Sequence, residues 1–427
     1  MAHSSMPAGA EFKTQPTRIA SALRSFRYRD FRLFITGQFI SLVGTWMQSI
    51  AQSWLVYRLT GSSTLLGGVG FAGQVPVFLL ATIGGTVSDR YSRHRLVVAT
   101  QTASMLLAFV LAALTLTGEI RIWHIFALAA LLGVVNAFDI PARQSFMVEL
   151  VGKDDLINAI ALNSSIFNGA RIIGPAFAGL LVAKIGEGWC FFTNGASYIA
   201  VIIGLLLMDV KVPNRPAATG SALSRILEGF RFVRQADPIR HLLLMLGVTS
   251  VMGMPYTVLM PIFADQILHS GARGMGILMG ATGVGAVIGA FTLAVRSGLR
   301  GLGRWVGYAC GGFGLSLILF SWSKFFWLSV LLQVPVGYAL MVQMGASNTL
   351  IQAMVPDQLR GRVMAVYSMM FMGVAPFGAF IAGVLAEKLG APVTISAGAL
   401  GCVTASVLFL TRLSSFKGQA RELLRPR

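Results

Sequence analysis

The chain has 427 residues, 55% of them hydrophobic before glycine is counted, and its 48 glycines raise the apolar share to about two-thirds, against roughly half in soluble domains. Charged residues make up only 12% and gather between long apolar runs, which excludes a water-soluble enzyme. The net charge of +18, from 34 Lys+Arg against 16 Asp+Glu, would point to nucleic acid in a soluble protein. Here the basic residues fall in alternate loops with no aromatic-interleaved stripe outside the apolar runs, so nucleic acid is excluded as a partner and a polytopic helical membrane protein is expected.

The first thirty residues are polar and basic, with Lys13, Arg18, Arg24, Arg27 and Arg29, and the first apolar run is too long for a signal peptide. This tail, 1–30, is expected to stay in the cytoplasm. Breaks at charge, glycine and proline clusters place spans at 31–57, 64–87, 95–117, 122–147, 156–183 and 188–208. After a polar gap come 239–265, 274–296, 302–322, 324–348, 361–386 and 392–412, each long enough for a hydrocarbon core of about 30 Å. The predicted organisation is an N-terminal half at 31–208, a linker at 209–238, a C-terminal half at 239–412 and a basic tail at 413–427. Twelve spans put both termini on one side. That side holds Arg90, Arg93, Arg95, Lys211, Arg215, Arg225, Arg231, Arg234, Arg296, Arg300, Arg304, Arg360, Arg362 and the group from Arg412 to Arg427, whereas Arg58, Arg121, Lys184, Arg273, Lys324 and Lys388 fall on the other. Both termini are therefore expected in the cytoplasm.

Leu223, Ile226, Leu227 and Phe230 recur at i, i+3, i+4, i+7 in the linker among Arg225, Arg231 and Arg234, a basic amphipathic helix suited to an anionic leaflet or, alternatively, to a calmodulin-like partner. Cys190, Cys310 and Cys402 lie far apart in apolar segments and read as packing residues, so no metal and no cofactor are expected. The segments entering spans five and eleven, Leu156–Ile160 and Leu359–Val363, look alike at an offset of about 203 residues, with Gly174, Pro175 and Gly179 following in one and Pro376, Gly378 and Gly383 in the other. Two such halves would set a binding cavity between them near the bilayer midplane.

Arg171 lies about fifteen residues into span five, roughly 23 Å along the helix. A charge at that depth is costly, so it faces either a hydrated cleft with Ser164 and Asn168, attracting an anionic or phenolate-bearing substrate, or the carbonyls near Pro175 as a helix brace. Span one carries Ser41, Thr45, Gln48 and Gln52 at i, i+4, i+7, i+11, which line the cavity or bond neighbouring helices. Asn136 in span four and Gln343 with Asn348 in span ten are further candidate donors. Tyr256 beside Pro255 stacks a ring or fills a kink. Gly276/Gly280, Gly285/Gly289 and Gly174/Gly179 permit close helix approach in any bundle.

At the second-to-third span junction the chain reads Gly85-Thr86-Val87-Ser88-Asp89-Arg90-Tyr91-Ser92-Arg93-His94-Arg95, which resembles the loop signature of the major facilitator superfamily, with Ser92 and His94 departing from it. Asn136 to Gln144, Leu162-Asn163-Ser164, Asn168 to Pro175 and Val355 to Met364 are similar to segments of the siderophore-exporter and macrolide-efflux branch. Gly174-Pro175 also resembles the span-five antiporter motif, which points to export. The resemblance implies an all-α fold of twelve helices in two pseudo-symmetric halves. It further implies a cytoplasmic latch built from Gly85, Asp89, Arg90, Arg93, Asp139 and Arg143, with Arg360 and Arg362 as further gating residues; otherwise these charges anchor the loops at the headgroups. The second-half loop Arg296 to Gly301 lacks the acid. All sixteen acids lie near span ends, so proton coupling is implied by the resemblance alone, with Asp139 its candidate.

ATP hydrolysis is excluded, since Gly152-Lys153-Asp154 is no phosphate loop, and His3, His94, His124, His241 and His269 are isolated, with no HExxH or GxSxG. A non-transporting sensor would not need the latch signature. The expected function is a monomeric, proton-driven exporter of a small amphiphilic molecule, a siderophore or drug-like compound, in the bacterial cytoplasmic membrane. An importer or lysophospholipid flippase on the same fold is the alternative.

Overall fold

The computed structural model describes residues 24–152, 155–209, 222–296, 298–299, 301–413, 418–419 and 423. His3, Lys13, Arg18, Lys153, Asp154, Lys211, Arg215, Ser297, Arg300, Lys417, Arg421, Arg425 and Arg427 lie outside the described residues, as do the side chains of Leu223, Arg225 and Ile226.

The described elements are helical. Long rods run back and forth as α1 (Arg29–Thr60), α2 (Ser63–Arg90), α3 (Arg93–Leu116), α4 (Ile122–Val151), α5 (Leu156–Ile185) and α6 (Glu187–Leu206). After the linker helix Ala222–Gln235 come α7 (Asp237–Ile267), α8 (Gly271–Val295), α9 (Leu302–Trp322), α10 (Phe326–Met354), α11 (Gln358–Leu389) and α12 (Ala391–Arg412). Among the described residues eleven rods are long and apolar enough to cross a membrane. The exception, α1, has the length at 32 residues, but Arg29, Asp30 and Arg32 at its start and the polar Ser41, Thr45, Gln48 and Gln52 dilute its apolar run. The bundle has a tail end, where α1 starts and α12 stops, and an opposite, far end.

Rod boundaries follow local chemistry. Ser62 and Ser92 cap α2 and α3 by accepting from the backbone N–H groups of Leu65 and Arg95. Gly186 after α5 and Gly390 after α11 hold φ of 87° and 84° at corresponding places in the two halves, a backbone that side chains disfavour.

Helix pairing repeats when six is added to each helix number. α2 packs on α4 as α8 does on α10, α3 on α6 as α9 does on α12, and α5 on α8 as α11 does on α2. Two halves related in this way form the chain, and α5–α8 and α2–α11 are the seams between them. Both seams close on glycine near the far end. A Cβ on Gly179 would lie 3.0 Å from the Gly276 Cα, and one on Gly383 would lie 3.2 Å from the Gly67 Cα.

The first half is braced at each end. At the far end Arg58 donates to both carboxylate oxygens of Glu187, at 2.7 and 3.1 Å, tying α1 to α6. At the tail end a short turn, Arg24–Arg27, docks on Asp155, whose side chain is fully buried. Arg24 and Arg27 reach that carboxylate at 3.1 and 2.6 Å, and the Tyr28 hydroxyl donates to it at 2.9 Å. The Tyr28 hydroxyl and Asp155 together hold the Arg27 guanidinium above its ordinary pKa.

The second half is jointed instead. α7 contains π turns at Thr249–Gly253 and Phe263–Ile267, with Met254 N–H bonding the Thr249 carbonyl and Leu268 N–H the Phe263 carbonyl; α11 has one at Met369–Gly373. The Ser250 hydroxyl in the first of these donates to the Phe371 carbonyl in the last at 2.5 Å, linking the two joints. Hydropathy alone predicts unbroken spans here, because a π turn changes hydrogen-bond register without changing composition.

Candidate functional site: a cleft between the halves

Hydrogen bonds join the halves at the far end. The Tyr57 hydroxyl of α1 donates to Asp265 of α7 at 2.7 Å. Glu387 of α11 accepts from the Ser62 hydroxyl at 3.0 Å, the Ser63 hydroxyl at 2.9 Å and the Thr64 N–H at 3.1 Å. Its carboxylate thus sits at the N-terminus of α2, where an anion is favoured. Toward the tail end the facing surfaces are accessible: Ile160, Ala161 and Ser164 on α5, and Gly361, Ala365, Ser368 and Met372 on α11, all reach solvent at least in part. The cleft is therefore shut at the far end and open at the tail end.

The N-terminal wall of the cleft carries Arg171. Nine residues separate it from Leu180, so at about 100° per residue the two lie on opposite faces of α5. Leu180 and Phe177 are exposed on the outer, lipid-side face, at 45% and 52%, which turns Arg171 inward with Ser164 and Asn168. Its guanidinium sits 5.8 Å from the Trp46 ring centroid, and Trp46 meets Phe167 edge-on at 5.7 Å. Among the described residues Arg171 makes no ion pair and no hydrogen bond through its side chain, so the brace to carbonyls near Pro175 is not formed. Asn168 donates to the Ser164 carbonyl at 2.8 Å.

The α1 stripe divides. Gln48 is buried and accepts from Asn194 of α6 at 2.7 Å, and Ser41 is buried as well. Thr45 is exposed, donates to the Ser41 carbonyl at 2.9 Å and approaches the Tyr198 hydroxyl at 3.4 Å; Gln52 is half-buried. Asn136 on α4 is also half-buried.

In the C-terminal half two predicted contacts are interior. Tyr256 is 1% exposed and meets Phe313 edge-on. Gln343 is fully buried and donates to Thr249 at 2.7 Å. Neither side chain reaches the open cleft in this state. Asn348 accepts from Gln352 at 3.0 Å. Half-buried Met341, Met344 and Met369 and exposed Met372 make the accessible surface of α10 and α11 apolar and adaptable.

The tail-end charges do not form one cluster. Asp139 is buried, accepting from Thr100 at 2.7 Å and Gln101 at 2.9 Å, with Arg143 at 3.0 Å. The hub is Arg93, which reaches Asp89 at 3.5 Å, Glu149 at 3.2 Å and the Ser145 carbonyl at 3.0 Å. Arg90, placed in the same latch by the family resemblance, does not contact Asp139 or Arg143. α3 closes over Asp139, and Arg90, exposed at the end of α2, makes no ion pair among the described residues. Gly85 has open space around it. Arg362 pairs with Glu228 of the linker helix, and Arg360 is exposed.

Sequence reasoning missed Trp46, Tyr57, Asp265 and Glu387. Trp46 stands one residue from Thr45 in the polar stripe, which was the available signal. The other three read as ordinary span-end residues.

Two repeated helical halves around a cleft that is shut at one end define a membrane transporter of the major facilitator type. The family of transmembrane secretion effectors matches residues 20–424, and the chain belongs to it. The Staphyloferrin A transporter of Staphylococcus aureus (strain NCTC 8325 / PS 47) is 26% identical over 393 residues, covering 90% of this chain and 97% of that one. The multidrug efflux pump Tap of Mycolicibacterium fortuitum is 26% identical over 382 residues, 87% and 93% of the two chains. The enterobactin exporter EntS of Escherichia coli O1:K1 / APEC is 26% identical over 392 residues, 89% and 91%. Among solved structures the nucleoside transporter NupG superposes with a TM-score of 0.69 at 14% identity, over 90% of this chain and 99% of that one. A POT family transporter gives 0.71 at 10% identity, over 91% and 97%.

Proposed function

We propose that the chain exports a small amphiphilic anion from the cytoplasm by alternating access, with the tail end and both termini in the cytoplasm. The observation that carries this is Arg171, a guanidinium turned into the cleft over Trp46 with no carboxylate to neutralise it. Such a group offers charge-assisted hydrogen bonds to a carboxylate or phenolate. Siderophore export fits this chemistry and two of the relatives, one a Staphyloferrin A transporter and the other an enterobactin exporter. Drug efflux is the second reading, favoured by the Trp46–Phe167 pair and by the third relative. Basic residues concentrated at the tail end, Arg24, Arg27, Arg29, Arg90, Arg93 and Arg95 among them, support the orientation.

In this reading the protein works as a monomer in the bacterial cytoplasmic membrane and is driven by protons. Gly85, Asp89, Arg90, Arg93, Asp139, Arg143, Arg360 and Arg362 act at the cytoplasmic gate, with Asp139 the proton-coupling candidate. The test is to delete the gene and compare, by mass spectrometry, small molecules retained and released by cells grown with and without iron. A carboxylate or catecholate siderophore held inside the deletion strain is the expected result. An unchanged siderophore profile overturns siderophore export and moves dye-efflux assays first.

A further inference from the structure

The linker helix buries one face against the bundle and leaves another exposed. Gly229, Val233 and Ala236, at i, i+4, i+7, are turned to the protein, and the last two are buried. A Cβ on Gly229 would lie 2.6 Å from the Arg362 carbonyl oxygen and 3.3 Å from a Val366 methyl, so the backbone of this face rests directly on α11. Glu228 pairs with Arg362 beside it. The opposite stripe holds Leu227, Phe230, Arg231 and Arg234, again at i, i+3, i+4, i+7. Leu227 is 58% exposed and Phe230 38%. Arg231 and Arg234 are exposed, and among the described residues neither side chain makes an ion pair or a hydrogen bond. Two large apolar groups and two cations thus share one face that the described residues leave uncovered and unpaired.

Its height and side follow from α11. The 32 residues of Gln358–Leu389 extend about 48 Å, roughly 18 Å more than a hydrocarbon core. Glu387 and Lys388 mark the far-end boundary, so the excess, about twelve residues, lies at the tail end and includes Arg362. The linker helix therefore sits at headgroup level. Arg362 and Val366 lie about 100° around α11 from Gly361 and Ala365, which face the cleft, so the helix rests on the flank of the bundle and not across the cleft mouth.

We propose that this face binds the anionic headgroups of the cytoplasmic leaflet, Arg231 and Arg234 meeting lipid phosphate while Leu227 and Phe230 enter the acyl boundary. Charge complementarity selects the occupant: an interfacial helix pairs exposed apolar groups with basic flanks, and anionic lipid is the partner that satisfies both. The assignment rests on the cytoplasmic placement of the tail end and is independent of what the transporter carries.

The test uses the full chain reconstituted in phosphatidylcholine vesicles containing phosphatidylglycerol. Leu227→Cys is labelled with a water-soluble fluorescent maleimide, which the buried Cys190, Cys310 and Cys402 escape. A nitroxide quencher is carried by one lipid or the other. Quenching is expected to favour phosphatidylglycerol, and the preference to fall about fivefold for each of Arg231→Gln and Arg234→Gln and to weaken with salt. Equal quenching by the two lipids, quenching by neither, or a preference that survives both substitutions overturns the proposal. Because the readout is lipid contact and not transport, its failure leaves the transport reading intact, and the reverse also holds.

Discussion

Gly276 of α8 lies so close to Gly179 of α5 that a Cβ added to it would stand 2.8 Å from the Gly179 Cα and 2.6 Å from the Pro175 carbonyl. The α2–α11 seam repeats the arrangement with Gly67 and Gly383. Backbone meets backbone at both seams, so neither has a flexible side chain that can move aside.

Gly276→Val and Gly383→Val are therefore expected to hold the far end ajar, at the overpacking cost of about 1–3 kcal/mol. Efflux from energised vesicles should fall roughly tenfold or more with membrane insertion intact. Gly312→Ala, where nothing lies within 4 Å, should transport normally. Unimpaired efflux in the two seam variants would remove close packing from the closing step.

Glu387→Gln keeps one carbonyl acceptor but removes the anion that three donors of α2 and its cap converge on. Hydrogen bonds to a charged group contribute about 1.5–3 kcal/mol, so the variant should populate the far-open state at least about tenfold more. Labelling of Tyr57→Cys by a membrane-impermeant reagent, with and without the Glu387 substitution, reports this. Equal labelling in the two backgrounds would count against the contact as a bolt.

Arg171→Ala should abolish efflux while expression stays normal, and Arg171→Lys should rescue it only in part, since an ammonium cannot present the planar fork of a guanidinium. Trp46→Leu removes a cation–π contact of about 0.5–2 kcal/mol and should raise KM several-fold at little cost to turnover. Full activity in Arg171→Ala would sink the anion site.

At the tail end Arg93 and Arg90 should part company. Arg93→Gln loses Asp89, Glu149 and the Ser145 carbonyl together and is expected to slow turnover more than it weakens substrate binding. Arg90→Gln, at an exposed side chain, should change stability by no more than about 0.5 kcal/mol. Asp89→Asn breaks a 3.5 Å pair that is open to solvent, so its effect should be the smaller of the two acids beside Arg93. Thermal unfolding in detergent and single-turnover kinetics separate the three.

The rods were legible because hydropathy and breakers act locally. The boundaries at Ser63, Ile122, Leu156 and Leu302 each follow a charge, cap or glycine visible in the chain. Arg171 was legible for the same reason, as a charge where lipid forbids one. The Glu387–Ser63 contact was not, since it joins residues 324 apart and each partner has an ordinary local role, one a span-end acid and the other a helix-start hydroxyl. Gln48 takes the second of the two roles open to the polar stripe. Spacing put it on a stripe with Thr45, but a stripe spread over eleven residues also turns partly toward α6, where Asn194 takes it.

The bidentate Arg58–Glu187 pair and the Asp155 dock clamp α1, α5 and α6 at both ends, whereas α7 and α11 are segmented by π turns linked through Ser250 and Phe371. Symmetry of pairing is thus coupled to asymmetry of stiffness. When the cleft changes sides, bending is expected to concentrate at these joints, at the depth of Ser250. Amide exchange should find the fastest interior protons there, at the joints of α7 and α11.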